Sequence, residues 1–496
     1  MNIAAGFISV GLLLAALLIL FFVEHHNARA VLFVTLSTSG VIAMGFSIAL
    51  GVRDLKTTSH IKPITFFEIT QHVVWQAPDA ELLLAALIAT VFIGLIAILL
   101  EILVVITNER PIKAKLVPVP KNFRLHPSHI SHINITVLIP AHNEALSLPH
   151  TLASLAAQTR PPDNIIVVAD NCTDETVNIA RSFGVQAYET VRNTGRKAGA
   201  LNQVLASILP GMDSQDVLLV MDADSQINES FLESAANYFR EFPALDAIGG
   251  VFFGESGHGI LGQFQRNEYF RYSDQIKRRG GRVFVLTGTA SLFRSDALQA
   301  VAKSRGIHIP GEPGQVYDTA ALTEDNELTI ALKTLGCPMI SPPECRVTTE
   351  LMPTWRNLWV QRIRWQRGAV ENLGAYGFTR TTMRYWGQQI GIAYGTIALS
   401  SALGISLFMA LAQDHWIWYS FWVSAGLIFS AERVWTVRRG GSSAILLAIP
   451  VIPEIVFDIF LQAVFVKVLF DTAVMKKSSW GHVKHDEKSE SREVVN

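Results

Sequence analysis

Ile135-Thr136-Val137-Leu138-Ile139-Pro140-Ala141-His142-Asn143-Glu144 is a β-rich apolar run that closes in a polar turn. An amphipathic helix is expected to follow, through about residue 158. A second apolar run, 165–169, ends at Asp170-Asn171-Cys172-Thr173-Asp174, and a third, 217–221, ends at Asp222-Ala223-Asp224. Short buried strands alternating with helices read as a parallel α/β sheet. Ligands of such sheets bind beyond the carboxyl ends of the strands. The polar residues at these strand ends are therefore candidates to meet in one cleft.

The Asp222-x-Asp224 pair is the chemical centre of that cleft. Two carboxylates at a strand end can serve different ligands, one a sugar hydroxyl and the other a divalent cation. Mg²⁺ typically binds through one or two carboxylates plus substrate phosphates, so a pyrophosphate substrate fits. Strand-end aspartates also simply cap the next helix, so the pair alone does not decide. A glycine-rich dinucleotide fingerprint is missing after all three runs, which counts against an NAD enzyme.

Outward from this region the chain turns apolar on both sides. Half of the 496 residues are hydrophobic and 17% are charged, which directs attention to membrane spans. The runs 4–23, 30–50 and 82–106 each approach or exceed the ~20 residues that a spanning helix needs. The first run lacks a basic flank and a cleavage site, so it reads as a span rather than a signal peptide. Arg110, Lys113, Lys115, Lys121 and Arg124 follow the third run and place that side in the cytosol. Apolar runs resume at 385–412 and 416–431, and Arg433, Arg438 and Arg439 return the chain to the cytosol. The stretch 443–474, which holds Pro450, Pro453, Glu454, Asp458 and Lys467, fits either a re-entrant hairpin or one tilted span. The expected domains are a three-helix transmembrane region over 1–107 and a cytosolic domain over 108–380. A second transmembrane region over 381–476, three helices of which one can be re-entrant, and a cytosolic tail over 477–496 are expected to follow. A net charge of −1 offers no general basic surface for nucleic acid. Three cysteines without regular spacing suit a reducing compartment. His126, His129 and His132 lack acidic or cysteine partners and read as solvated.

Six motifs then occur in order: Pro140-Ala141-His142-Asn143-Glu144, Asp170, Gly195 to Asn202 (GRKAGALN), Asp222-Ala223-Asp224, Thr323-Glu324-Asp325, and Gln361-Arg362-Ile363-Arg364-Trp365. Together they resemble the processive, membrane-integrated family 2 glycosyltransferases, the group of cellulose, chitin, hyaluronan and poly-N-acetylglucosamine synthases. The resemblance covers about 135–368 and, with the flanking helices, nearly the whole chain. It implies a GT-A (Rossmann-like) α/β catalytic domain inserted between N- and C-terminal transmembrane helices, in a multi-pass cell-membrane protein whose catalytic domain is cytosolic. It further implies that Ala141, Glu144 and Asp170 hold the uridine of a UDP-sugar donor, and that Lys197 reaches the base or diphosphate. Asp222 would hold the ribose or diphosphate side and share the metal site with Asp224, which would ligate Mg²⁺ or Mn²⁺. Asp325, beside Glu324, would be the general base. Gln361, Arg364 and Trp365 would lie near the donor diphosphate and the acceptor. Thr287-Gly288-Thr289 sits where the family's acceptor-lining loop does, but departs from the form seen in cellulose synthases.

These residue types suit the chemistry. A sugar hydroxyl is a poor nucleophile, so a carboxylate must take its proton as it attacks. The departing diphosphate gathers negative charge that a cation, Lys197 and Arg364 can stabilise. Attack opposite the leaving group inverts the anomeric centre. A flat Trp365 face offers a surface for a sugar ring. The expected activity is extension of a β-linked polysaccharide with a carbohydrate acceptor, coupled to passage through the lipid bilayer. Transfer of a single sugar to a lipid or short acceptor is the alternative, and a non-catalytic transporter or scaffold would have lost one of Asp224, Asp325 and Arg364. Trp355, Leu358, Trp359 and Ile363 recur at helical spacing, as an interfacial face does, and 264–279 reads as a second interfacial or domain-packing helix.

Overall fold

The computed structural model describes residues 62–66, 69–74, 80–107, 133–412 and 415–474, together with Ser39. The apolar runs 4–23 and 30–50, the histidines of 126–132 and the tail 477–496 lie outside the described residues, apart from Ser39.

The domain between the apolar regions is built on a seven-stranded sheet. In chain order its strands are β3 (Ile135–Ala141), β4 (Asn164–Ala169), β5 (Gln186–Glu189), β6 (Val217–Met221), β8 (Ala247–Gly249), β10 (Ala290–Arg294) and β11 (Met339–Ile340), with β1 and β2 given below. Their spatial order is β11-β8-β10-β6-β3-β4-β5. Neighbours β3, β4, β5 and β6 pair in parallel, with Val137 opposite both Ile165 and Leu219. Strand β10 runs antiparallel to β6 and β8. Every residue of β6 is buried, as expected of a central strand covered on both faces.

Side chains alternate across the sheet and feed two cores. Leu138, Val168 and Val220 meet the helix α4 (Arg196–Ile208) through Leu201, Val204 and Leu205. Val137, Ile139 and Leu219 meet α2 (Leu148–Ala156) and α5 (Phe231–Glu241) through Leu152, Leu155, Phe231 and Phe239. Because β4, β3 and β6 are parallel neighbours, Asp170, the 140–144 turn and Asp222-Ala223-Asp224 emerge on one edge.

A second sheet refines that edge. Its order is β7 (Ser225–Ile227), β12 (Arg346–Thr349), β9 (Val251–Gly254). Ser225 pairs with Thr349, so Glu350 comes opposite Asp224.

The flanking helices include α1 (Ala80–Thr107), in place of the expected 82–106, and α10 (Met383–Ala412). Among the described residues, one helix, Met383–Leu407, is long and apolar enough to cross a membrane, or up to two if a bent pair counts as one span. The run expected to continue as helix from 416 starts instead as β13 (His415–Tyr419). It pairs in parallel with β2 (Ile69–Val74), which is antiparallel to β1 (Lys62–Phe66). Trp416, Ile417, Trp418 and Tyr419 are aromatic and β-branched, types that favour strands. Helix α11 (Ser420–Val437) follows.

The stretch 443–474 is bent near its middle, as a broken span or a re-entrant loop is. Helix α12 (Gly441–Ala448) gives way to α13 (Ile452–Ala473), and the segment Phe429–Ala448 is bent by 93° from α13. The break holds Pro450 and a Val451 at φ 61°, a conformation that a β-branched residue adopts only under strain.

Two helices expected at a lipid interface dock on this region. In α9 (Trp355–Tyr376), Trp355 and Trp359 meet Phe460 of α13 at ring distances of 5.0 and 5.6 Å. In α6 (Gly259–Arg278), Phe264 stacks on Phe457 at 4.9 Å. Leu358 is fully buried in the same cluster. Glu454 of α13 pairs with Arg271 of α6 at 2.7 Å and with Arg433 of α11 at 3.2 Å. Leu358 of the periodic face is thus covered by protein, while Trp355 stays 43% exposed.

Candidate active site

The cleft is assembled from the ends of β3, β4 and β6, the start of α4, the loop before β10 and the start of α8 (Glu324–Thr334). Lys197 is the second residue of α4. Arg196 before it has φ 57°, a left-handed conformation costing about 1–2 kcal/mol for a residue with a side chain. The lysine Nζ lies 2.5 Å from Asp222 Oδ1 and 3.1 Å from Glu324 Oε1. Burial would lower its pKa, but the charges of Asp222 and Glu324 outweigh burial and raise it, so the ammonium is held.

Asp325 sits beside this pair. Its Oδ2 accepts from Gly288 N–H at 3.0 Å, and its Oδ1 accepts from Asn326 N–H at 2.7 Å. Thr329 Oγ1 donates to Asp325 O at 2.7 Å and accepts from Leu286 N–H at 2.9 Å, tying the loop to the helix. The N-cap of α8 is Thr323, so Asp325 is not the N-cap residue. Burial, then the Glu324 charge, pushes Asp325 up to about 6, against Lys197 and the two amides. Glu324 goes the other way: burial raises it, but Lys197 and Arg364 more than offset that and hold it below the usual carboxylate range. Two adjacent carboxylates are thus pushed apart, the arrangement of an acid–base site.

Gly288 is the point where these groups converge. A Cβ there would lie 3.1 Å from Lys197 Nζ, 3.5 Å from Asp325 Oδ2 and 3.6 Å from Asp222 Oδ2. Lys197, Thr287, Gly288, Tyr317, Glu324 and Asp325 line one recess. The neighbouring Thr289 accepts Asp222 N–H through its carbonyl at 3.2 Å.

Asp224 lies two residues beyond Asp222, in the link between β6 and β7. Burial, followed by the charges of Asp222, Glu144 and Glu350, pushes it up to about 8. Ser225 Oγ donates to its Oδ1 at 3.2 Å. A carboxylate so crowded by others suits a bound divalent cation. Among the described residues no set of three or more His, Cys, Asp or Glu is arranged to hold a metal alone.

Asp170 is anchored rather than free. Its Oδ1 accepts from Thr190 Oγ1 and Asn193 Nδ2, both at 2.8 Å, and its N–H donates to Ala141 O at 2.8 Å. Glu144 N–H donates to Thr176 Oγ1, and its carboxylate accepts from Ser147. The Gln361-to-Trp365 run lies on α9, which crosses the start of α8 closely. A Cβ on Gly368 would meet Thr323 Oγ1 at 2.4 Å, and Asn372 Nδ2 donates to Thr323 O at 3.3 Å. Arg364 acts on Glu324 across this crossing. Gln361 Oε1 is buried with no hydrogen-bond partner among the described residues. Trp365 carries the Arg362 guanidinium over its ring at 4.3 Å, so that part of its surface is covered.

The structure therefore gathers Lys197, Asp222, Gly288, Glu324 and Asp325 at one point, with Asp224, Glu144 and Arg364 around it. Sequence reading missed Glu350, Asn193 and Thr190. Glu350 is brought in only by the β7–β12 register. Asn193 lies two residues before Gly195, whose N–H it accepts at 2.9 Å, and an asparagine before a glycine-led helix was the available signal.

Residues 136–302 match the family model described as glycosyl transferase family 2. A poly-beta-1,6-N-acetyl-D-glucosamine synthase of Staphylococcus epidermidis is 26% identical over 263 residues, 52% of this chain and 59% of that protein. One from Staphylococcus aureus (strain COL) is 26% identical over 245 residues, 48% of this chain and 55% of that protein. The chain thus spans a little over half the length of the curated relatives it matches. Among solved structures, a mannosyltransferase from Pyrobaculum calidifontis in complex with GDP-Man and Mn²⁺ aligns over 78% of this chain and 99% of its own, at 16% identity and a TM-score of 0.45.

Proposed function

From the premise that this chain carries a family 2 glycosyltransferase domain, we propose that it extends a β-linked polysaccharide from a UDP-sugar, with inversion and with a divalent cation. The observation that carries the reading is the convergence of Lys197, Asp222 and Asp325 on the backbone of Gly288. One carboxylate there is held close to neutrality, next to an ammonium fixed by two others.

Asp325 accepts the proton of the acceptor hydroxyl as that oxygen attacks the anomeric carbon. A base poised near the working pH transfers protons most effectively. The amides that hold Asp325 fix its direction, and Gly288, lacking a side chain, lets the acceptor ring approach the backbone. Asp170, held by Thr190 and Asn193, orients the uracil, and Ala141 and Glu144 flank it. Lys197 and Arg364 stand where the leaving diphosphate gains charge and stabilise it without reorganising. Asp224, with Asp222, would hold Mg²⁺ or Mn²⁺, which when bound supplies charge neutralisation to the diphosphate. Gln361 supplies an unmet acceptor, and the uncovered part of Trp365 an apolar face, to the acceptor side.

N-acetylglucosamine is the first sugar to test, because the poly-beta-1,6-N-acetyl-D-glucosamine synthases are the curated relatives matched. Processive growth with passage through the bilayer is supported by α9. That helix holds the Gln361-to-Trp365 run and also packs on α13 through Trp355 and Trp359. The test is a metal titration of turnover in the Asp224→Ala variant. Full activity with unaltered Mn²⁺ dependence would refute the metal assignment; loss of turnover with retained fold supports it.

A further inference from the structure

We infer that Arg278, Arg279, Arg282 and Arg384 form a binding site for a phosphate group, separate from the sugar-transfer cleft. They line one solvent-open recess. Arg278 ends α6, Arg279 is its C-cap, Arg282 bridges to Ile340, and Arg384 is the second residue of α10. All of them are exposed.

The charge balance around the recess is what calls for an anion. Arg278 is paired with Asp274 at 2.7 Å. Among the described residues no salt bridge to a carboxylate is made by Arg279, Arg282 or Arg384. Cations at the end of α6 complement its helix dipole, which accounts for Lys277 and Arg278. The same rule makes Arg384 unfavourable, because it lies in the first turn of α10, where the dipole is positive. Its guanidinium is instead held over the Phe284 ring at 4.8 Å, leaving its donors for a ligand. A guanidinium matches a phosphate with parallel N–H donors, and several of them around a concavity fit a phosphate better than a carboxylate.

The place of the site suggests two sources for that phosphate. Arg384 stands at the start of Met383–Leu407, the helix long and apolar enough to cross a membrane. A basic cluster at such a position binds acidic lipid headgroups. The recess also opens to solvent and would admit free phosphate. Either occupant would rest on the chain leading to the cleft. Phe284, next but one after Arg282 in the chain, accepts through its carbonyl from Tyr385 Oη at 2.6 Å and from Lys333 Nζ at 2.9 Å. That segment continues to Gly288.

The test uses the full chain in neutral detergent and does not depend on transferase activity. Native mass spectrometry compares retention of phosphatidylglycerol with phosphatidylcholine, and equilibrium dialysis measures binding of inorganic phosphate. The Arg279→Gln/Arg282→Gln pair is compared with Arg279→Lys/Arg282→Lys, which keeps the charge. At about fivefold per basic residue, the glutamine pair should bind about twenty-five-fold more weakly, and the lysine pair within a few-fold of the parent. Loss in the lipid arm alone assigns a headgroup, and loss in the dialysis arm alone assigns a soluble phosphate. Unchanged binding of both phosphatidylglycerol and inorganic phosphate by the glutamine pair overturns the site. Should the glutamine pair fail to fold, Arg384→Gln alone carries the same comparison, because Arg384 is exposed and contributes a separate donor set.

Discussion

Acidification is the perturbation that reads Asp325 most directly. Burial and the Glu324 charge hold this carboxylate at about 6, against an ordinary value of about 3.9. At about pH 5 a group at 6 is ionised in roughly one molecule in eleven, whereas an ordinary aspartate would be ionised in more than nine of ten. Turnover at that pH is therefore expected at about a tenth of its plateau, rising roughly tenfold per pH unit below the limb. The sign of the charge effect gives a second check. Glu324→Gln removes a negative neighbour, so the carboxylate of Asp325 ionises more readily and the acidic limb moves to lower pH. The fraction of plateau activity retained at about pH 5 then rises, even if the plateau itself falls through the loss of the Lys197 partner. The assay is initial-rate UDP release from about pH 4.5 to about 8, with donor and metal saturating at each point. An acidic limb near pH 4 in the parent, or one that Glu324→Gln leaves in place, would refute the assignment of Asp325 as the titrating base.

Other substitutions probe the same frame. Asp325→Asn should lower turnover by about 10²–10⁴-fold while donor affinity, read by UDP binding calorimetry, changes little. Gly288→Ala should leave the thermal midpoint nearly unchanged, since the added methyl meets flexible side-chain ends at 3.1 to 3.6 Å, yet lower turnover at least about tenfold by filling the acceptor approach. Arg305→Met should destabilise the fold by about 3–5 kcal/mol in chemical denaturation. Its guanidinium pairs with Glu327 at 2.5 Å with both side chains fully buried, and Tyr376 donates to the same carboxylate at 2.6 Å. That network ties α8 to α9, so the loss should exceed any change in a surface arginine such as Arg181.

The central sheet was legible because its strands are buried on both faces and end in polar turns. Runs 135–144, 165–174 and 217–224 needed no tertiary information to be read as strands opening on a cleft. The convergence of Lys197, Asp222 and Asp325 was legible only through the order of six motifs, since nothing in the spacing of residues 197, 222 and 325 brings them together. Glu350 escaped because only the β7–β12 pairing brings it opposite Asp224. At 415–419 hydropathy misled: Trp416, Ile417 and Trp418 are as apolar as a span, and the strand partner at 69–74 is more than three hundred residues away in the chain. The break at Pro450–Val451 was announced by its prolines, but not its angle. The face of Trp355, Leu358 and Trp359 had the right periodicity, and lipid and a facing helix call for the same apolar surface, so periodicity alone does not say which covers it.

The most direct measurement is the purified full chain in lipid, supplied with UDP-N-acetylglucosamine and Mn²⁺, with UDP release and product size followed together. High-molecular-weight β-linked product, abolished by EDTA and by Asp325→Asn, is the expected result. No UDP release from any of a panel of UDP-sugars, or release unaffected by both EDTA and Asp325→Asn, would contradict the proposed transferase.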